Sequence, residues 1–280
     1  MLPTLEFSES FKHRLSQDDF AEVVALPVQA CLTVDVERGT KTPTFIGIDS
    51  DVSMILDLFR PICRATFFVT GEVAERLPQT IRTISREGHE VSCHGLHHER
   101  FDTLEPDEQF RRIKLATEHI MNATGTRPVG FRAPQHRGNA ATIFALEKLG
   151  YEYDSTVLPR TPFMRPQAYK KWRFLFAPSS PYHPSRTSIV RHGDSTILEL
   201  PVSTFFLPFM SELSMRSGFV SDIIGSLLVY RGAPIIYYSH SYDSSQASGM
   251  LWLRRVIRTL QKHKVEFLTM HQLAHEYKRP

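Results

Sequence analysis

Four short segments of this 280-residue chain carry residues whose types and spacing could do chemistry. TVDVE holds Asp35 and Glu37 two apart, CHGLHH holds His94 and His98 with three residues between them, FRAP holds Arg132, and YYSH ends on His240. In an extended segment, side chains two apart leave the chain on the same side, so Asp35 and Glu37 point together. Two carboxylates that close repel unless a cation or a shared proton sits between them. The His94/His98 gap is common in metal sites, and a helical turn after the strand would face both imidazoles one way. Two imidazoles and one carboxylate make a facial three-ligand set with positions left for water. Each signal alone is commonplace. Their weight comes from where they fall, at the ends of predicted strands.

The elements that must position these residues are readable from apolar periodicity. ACLTVDV (30–36), ATFFVT (65–70), HEVSCH (89–94), VGFRAP (129–134), EYDST (152–156), ILELPVST (197–204), PIIYYSH (234–240) and VEFLTM (265–270) predict strands. Helical patterns lie between them. Ser50 is placed to cap DVSMILDLF, Gly71 precedes EVAERLPQTIRTISREG, which ends on Gly88, and PDEQFRRIKLATEHIMNATG starts on Pro106 and stops at Gly125. Further helices are expected around 140–149, 219–230 and 247–263. Strand and helix alternating over most of the chain imply an α/β fold with a parallel sheet, closed or nearly closed into a barrel. In such a barrel the active site is built at the carboxyl ends of the strands, where the ionisable residues fall.

Composition narrows the classes. With 41% hydrophobic residues the chain is neither disordered nor fibrous. The 33 Lys+Arg against 30 Asp+Glu leave a net charge too weak for nucleic acid to be the main partner. Cys31, Cys63 and Cys93 form no CxxC pair and read as buried thiols of a reducing compartment. The first 25 residues read as a polar leader without a secretory signal, and the apolar runs fall short of a bilayer span, so a cytoplasmic protein is expected. The stretch 159–193 departs from the pattern. It holds Pro159, Pro162, Pro166, Pro178, Pro181 and Pro184, and basic residues interleave with aromatics. It reads either as a solvated loop packed on its own aromatics or as a substrate-facing loop that tolerates phosphate or an anionic membrane surface.

TVDVE, TFFVTGEVAERLP, EGHEVSCHGLHHERF, TGTRPVGFRAP, GYEYDST and YYSHSYD resemble, in order, the successive motifs of the polysaccharide deacetylase family, the NodB homology domain of carbohydrate esterase family 4. The resemblance spans roughly residues 30 to 270. It implies a distorted (β/α) barrel of about seven parallel strands with surrounding helices, a single domain over 26–280 that carries the 159–193 stretch as an insertion. It also implies roles. Asp35 matches the catalytic base, His94 and His98 the metal-binding histidines, Arg132 the arginine that orients the base, and His240 the acid that protonates the leaving amine. Asp154 falls in the motif where an acidic residue helps shape the site. The commonest family pattern has two adjacent Asp residues, whereas Val36 follows Asp35 here. A branch with D-x-[DE] looks like this sequence, which would make Glu37 the carboxylate ligand. Gly95 stands where the family usually has Ser or Thr, and His97 is a decoy beside the metal-binding pair.

The activity so implied is metal-dependent removal of an N-acetyl group from an amino sugar of a polysaccharide, an oligosaccharide or a lipid- or nucleotide-linked glycan precursor. One divalent ion is implied, zinc foremost, with Co, Ni, Mn or Fe(II) admitted by the ligand set. Two other readings stand beside this one: a cyclic-ureide amidohydrolase of the allantoin type on the same fold, and a carbohydrate-binding barrel without metal.

Overall fold

A computed structural model describes residues 27–39, 44–159, 174–205, 207–208 and 218–278. The expected leader to residue 25, and residues 160–173 of the proline-rich stretch, lie outside the described residues. The strands are β1 (Gln29–Val36), β2 (Thr66–Val69), β3 (Glu90–Cys93), β4 (Gly130–Phe131), β5 (Tyr153–Asp154), β6 (Pro184–Ser185), β7 (Ser188–His192), β8 (Leu198–Glu199), β9 (Thr204–Phe205), β10 (Leu207–Pro208), β11 (Ile235–His240) and β12 (Glu266–Phe267). The helices are α1 (Ile48–Phe59), α2 (Gly71–Arg76), α3 (Pro78–Arg86), α4 (Pro106–Thr124), α5 (Ala140–Lys148), α6 (Gly218–Tyr230), α7 (Ala247–Lys262) and α8 (Met270–Lys278).

Seven strands form one curved parallel sheet in the order β11-β1-β2-β3-β4-β5-β8, and β12 joins the start of β1 at Gln29 and Ala30. The two outermost strands approach each other past the end of β8. There the Ser203 N–H donates to Ile236 O at 2.8 Å, and the Ile236 N–H donates to Ser203 Oγ at 2.9 Å. The result is a half-barrel with helices around it, the distorted (β/α) barrel expected. Cys31, Leu32, Val34, Val36, Phe67, Phe68 and Val69 are buried along β1 and β2. A strand covered on both faces needs such unbroken apolar runs, and that is why these segments fold as they do.

The structure differs from the sequence expectation at three places. α1 starts at Ile48 behind Gly47, whose φ of 92° is a left-handed conformation that favours glycine. Ser50 therefore sits inside the first turn, its hydroxyl donating back to Gly47 O at 2.8 Å, and does not cap the helix. The long helix expected after Gly71 and up to Gly88 is two helices, because Pro78 has no N–H for the preceding turn and begins α3 instead. Residues 184–192, expected to be irregular, form the antiparallel hairpin β6–β7, with Pro184 at a strand start where its missing donor is tolerated. Around this hairpin Phe174 and Tyr182 are buried, whereas Phe176 is 89% exposed. Arg186 pairs with Glu147 at 3.4 Å and Asp194 at 3.5 Å, so part of the basic character is neutralised locally.

All three cysteines are buried and free, and burial pushes the Cys63 and Cys93 thiols up to about 12, so neither is a thiolate at neutral pH. Among the described residues no helix is long and apolar enough to cross a membrane.

Candidate active site

The carboxyl ends of β1, β3, β4 and β11 meet at one rim of the sheet. Asp35 closes β1 opposite His240 of β11, and Glu37 follows on the same side two residues later. Asp35, Glu37, His94 and Arg132 are each no more than 2% exposed. Charged groups that deeply buried persist only if paired or bound to a cation.

Arg132 is held from several directions. Its Nη1 lies 2.8 Å from Asp35 Oδ1 and 2.9 Å from Thr33 Oγ1; its Nε and Nη2 reach the carbonyl and hydroxyl of Ser155, both at 3.1 Å. The Phe68 ring lies under the guanidinium at 4.1 Å. A rigid planar fork stacked on an aromatic and bonded on two sides cannot swing, so it fixes the orientation of Asp35.

The two histidines converge on Glu37. His98 Nε2 lies 2.6 Å and His94 Nε2 3.2 Å from Glu37 Oε2, and His94 Nε2 is 3.7 Å from Asp35 Oδ2. His94 is aimed by its other nitrogen, whose Nδ1 pairs with the Arg132 carbonyl at 2.8 Å, the outer-shell contact typical of a metal-ligating imidazole. The segment between the histidines is not the helical turn the spacing invited. Gly95 (φ 74°) and His98 (φ 61°) both take left-handed conformations, and it is this tight turn that folds the second imidazole back toward the first. A Cβ on Gly95 would meet Phe101 at 2.9 Å and Pro134 at 3.1 Å, which gives a steric reason for glycine where the family usually has Ser or Thr. The turn is braced by Gly71 N–H to Gly95 O at 2.9 Å and Glu72 N–H to Leu96 O at 3.0 Å, and by Glu99, which accepts from His97 N at 2.6 Å. His97 points elsewhere, its Nδ1 3.1 Å from Glu72 Oε2.

Neither oxygen of the buried Glu37 carboxylate has a well-aligned hydrogen-bond partner, despite the two imidazoles beside it. Burial opposes its charge, yet His94 and then His98 hold the carboxyl well below the usual carboxylate range. An ionised, buried carboxylate without aligned donors, with two imidazole nitrogens turned toward the same oxygen, fits a divalent cation. One ligand atom each from Glu37, His94 and His98 lie within 4.8 Å of one another.

His240 closes the rim from the other side. Its Nδ1 lies 3.2 Å from Asp243 Oδ2, which also accepts from the His240 backbone N–H at 2.9 Å, and its ring stacks on Tyr242 at 4.7 Å. Burial disfavours the imidazolium, but the Asp243 hydrogen bond and the charges of Glu37, Asp243 and Asp35 outweigh it and push the group up to about 9. Asp154 is not part of the imidazole cluster. It is the register partner of Glu199 and accepts from Thr156 Oγ1 at 2.6 Å, and Thr156 in turn accepts from the Ala133 N–H at 2.9 Å. Burial pushes both carboxyls of the Asp154–Glu199 pair above the ordinary range, and the neighbouring Asp154 charge adds to the rise at Glu199.

Thr33, Ser155, Asp243, Tyr242 and Glu199 escape the sequence reading. Asp243 had a local signal, an acid three residues after His240. Glu199 had none, because it meets Asp154 only through strand pairing.

Comparison with known proteins agrees with this picture. Residues 53–153 match the family model described as polysaccharide deacetylase. A peptidoglycan deacetylase of Helicobacter pylori is 25% identical over 264 residues, covering 87% of each chain. A peptidoglycan deacetylase-like protein of Gibberella zeae is 35% identical over 103 residues, a match covering 37% of this chain and only 30% of that protein. Among solved structures, a Mycobacterium smegmatis chain assigned as a polysaccharide deacetylase superposes with a TM-score of 0.65 at 25% identity, covering 90% of this chain and 93% of that one. PuuE allantoinase shares the fold, with a TM-score of 0.67 at 17% identity over 89% of each chain. Six motifs in order, the barrel they predict, the family match over residues 53–153 and these relatives together support a place for the chain in the polysaccharide deacetylase family, the NodB homology domains of carbohydrate esterase family 4.

Proposed function

We propose that this chain is a metal-dependent deacetylase that removes the N-acetyl group from an amino sugar of a glycan, of the D-x-E type in which Glu37, His94 and His98 hold the ion. The observation that carries the reading is the buried, unsatisfied Glu37 carboxylate facing two imidazoles, with Asp35 locked beside it by Arg132. The peptidoglycan deacetylases among the relatives favour a peptidoglycan-type glycan as the first substrate to test.

A divalent ion, zinc first, held by those three side chains would acidify a bound water and polarise the acetamide carbonyl. Asp35 then takes the proton of the attacking water. Its Oδ1 is occupied by Arg132, so Oδ2, the oxygen 3.7 Å from His94, is the one that faces the reaction. Arg132 holds the base in one orientation, and Thr33 and Ser155 keep Arg132 in place. His240 serves the second half of the reaction. An amine leaves an amide carbon only when protonated, and His240, charged at neutral pH with Nδ1 anchored on Asp243, has Nε2 to offer that proton. Asp154 supports the site at one remove, by bracing Thr156 and through it the backbone after Arg132.

The test is acetate release from N-acetylglucosamine oligomers, peptidoglycan and lipid-linked sugars, with allantoin as a control for the ureide reading. Activity on an acetylated glycan that a chelator abolishes and a divalent ion restores is expected. Asp35→Asn should lower kcat by roughly 10²–10⁴, the usual contribution of a positioned base. Turnover unaffected by that substitution, or confined to allantoin, would sink the proposal.

A further inference from the structure

A second group of metal-ligating side chains lies at the opposite end of the sheet, where the strands begin. His271 and His275 stand four apart on α8, so both project from one face of the helix. Their Nε2 atoms are 3.1 Å apart, and Glu152 Oε2 lies 3.6 Å from His271 Nε2. One ligand atom from each of the three falls within 4.8 Å of the others.

The three come from parts of the fold that are independently anchored. Glu152 immediately precedes β5, and its backbone is paired on both sides, its N–H to Val129 O at 2.8 Å and its carbonyl to Leu198 N at 3.0 Å. α8 is fixed at its start across the mouths of β2 and β3, by Met270 N–H to Thr66 Oγ1 at 2.8 Å and His271 N–H to Glu90 Oε2 at 2.9 Å. Ligands on rigid elements lose little freedom on binding, which favours an ion. The donor chemistry selects which ion. Imidazole nitrogens with one carboxylate suit Zn²⁺, Cu²⁺ or Ni²⁺, whereas Ca²⁺ and Mg²⁺ require mostly oxygen.

We propose that Glu152, His271 and His275 form a second site for a borderline divalent cation, separate from the rim, which ties the C-terminal helix to the start of β5. The competing account of the 3.1 Å approach is an N–H···N hydrogen bond between two neutral imidazoles, which needs no metal.

The two accounts part in a metal titration of the full chain. The protein is stripped with a chelator, dialysed, and titrated with Zn²⁺ alone, alongside His275→Ala and His271→Ala. The parent should retain one more ion per chain than either variant, and its melting temperature should rise further with Zn²⁺. Cu²⁺ loaded at one equivalent into a His98→Ala background should show nitrogen couplings from two imidazoles in its spin-resonance spectrum, and His275→Ala should remove one of them. His275 is exposed, so its truncation leaves the fold intact, as circular dichroism would verify. Equal ion counts in parent and both variants would overturn the proposal whatever binds at Glu37. Should the rim bind nothing, the one-ion difference would persist, so failure of one site is not mistaken for failure of the other.

Discussion

The two ends of the sheet each bring two histidines and a glutamate within reach of one ion, yet they are built on opposite terms. At the rim, Glu37 and His94 are almost wholly buried, and every charge depends on a named partner. At the floor, the side chains of Glu152 and His271 are 29% and 38% exposed and water can replace any partner they lose. Between the ends, the interior is sealed by Tyr153, whose hydroxyl donates to Glu90 Oε1 at 2.6 Å, and by Phe68, whose ring meets that of Tyr153 edge-on. Burial therefore separates a place where electrostatics can drive a reaction from one where ligands can only bind and brace.

This contrast is easiest to break at its strongest point. Arg132→Met strips the buried Asp35 carboxyl of its cation, and should cost about 3–5 kcal/mol in urea unfolding, the usual penalty for breaking a buried pair. A loss below about 1 kcal/mol would show that water reaches the rim. Gly95→Ala comes next. It forces a left-handed φ on an L side chain and a Cβ into Phe101 and Pro134, so about 1–2 kcal/mol of backbone strain, plus the clash, should lower the melting temperature and weaken metal retention together.

A third effect is set by pH. His240 is pushed from its ordinary 6.5 up to about 9 by Asp243, Glu37 and Asp35, so the pair's stabilisation is complete below 6.5 and disappears as pH rises through 9. On metal-depleted protein, Asp243→Asn should cost on the order of 1 kcal/mol at pH 6 and nothing above pH 9. A cost independent of pH would mean that Asp243 merely caps the turn through the His240 N–H. The smallest effect belongs to the floor. Without metal, His275→Ala should change stability by no more than about 0.5 kcal/mol, as exposed substitutions do. A larger loss would reveal a buried interaction there and erase the difference between the two ends.

Much of this was legible before any coordinates. Runs rich in β-branched and aromatic residues bounded by turns are short-range signals, so each of the eight expected strands exists, and the polar residue that ends a run marks the rim. Asp35, Glu37, His94, Arg132 and His240 stood out for that reason. Ser50 misled because a good capping residue lay three positions past a glycine whose left-handed conformation starts the helix first. Pro78 was visible but outweighed by a helical periodicity that continues on both sides of it. The hairpin at 184–192 was hidden because proline density argues against regular structure, whereas only one proline enters the ladder.

What the linear order of residues determined by itself is the alternation of elements and the chemical types at their ends, since both depend on patterns only a few residues long. Which of those types meet was decided by the tertiary structure. Register alone sets Asp154 against Glu199, a left-handed turn at Gly95 and His98 swings two imidazoles onto one carboxylate oxygen, and the docking of α8 brings His271 to Glu152. Those encounters join distant parts of the chain, and a contact of that kind exists only once burial has closed the sheet.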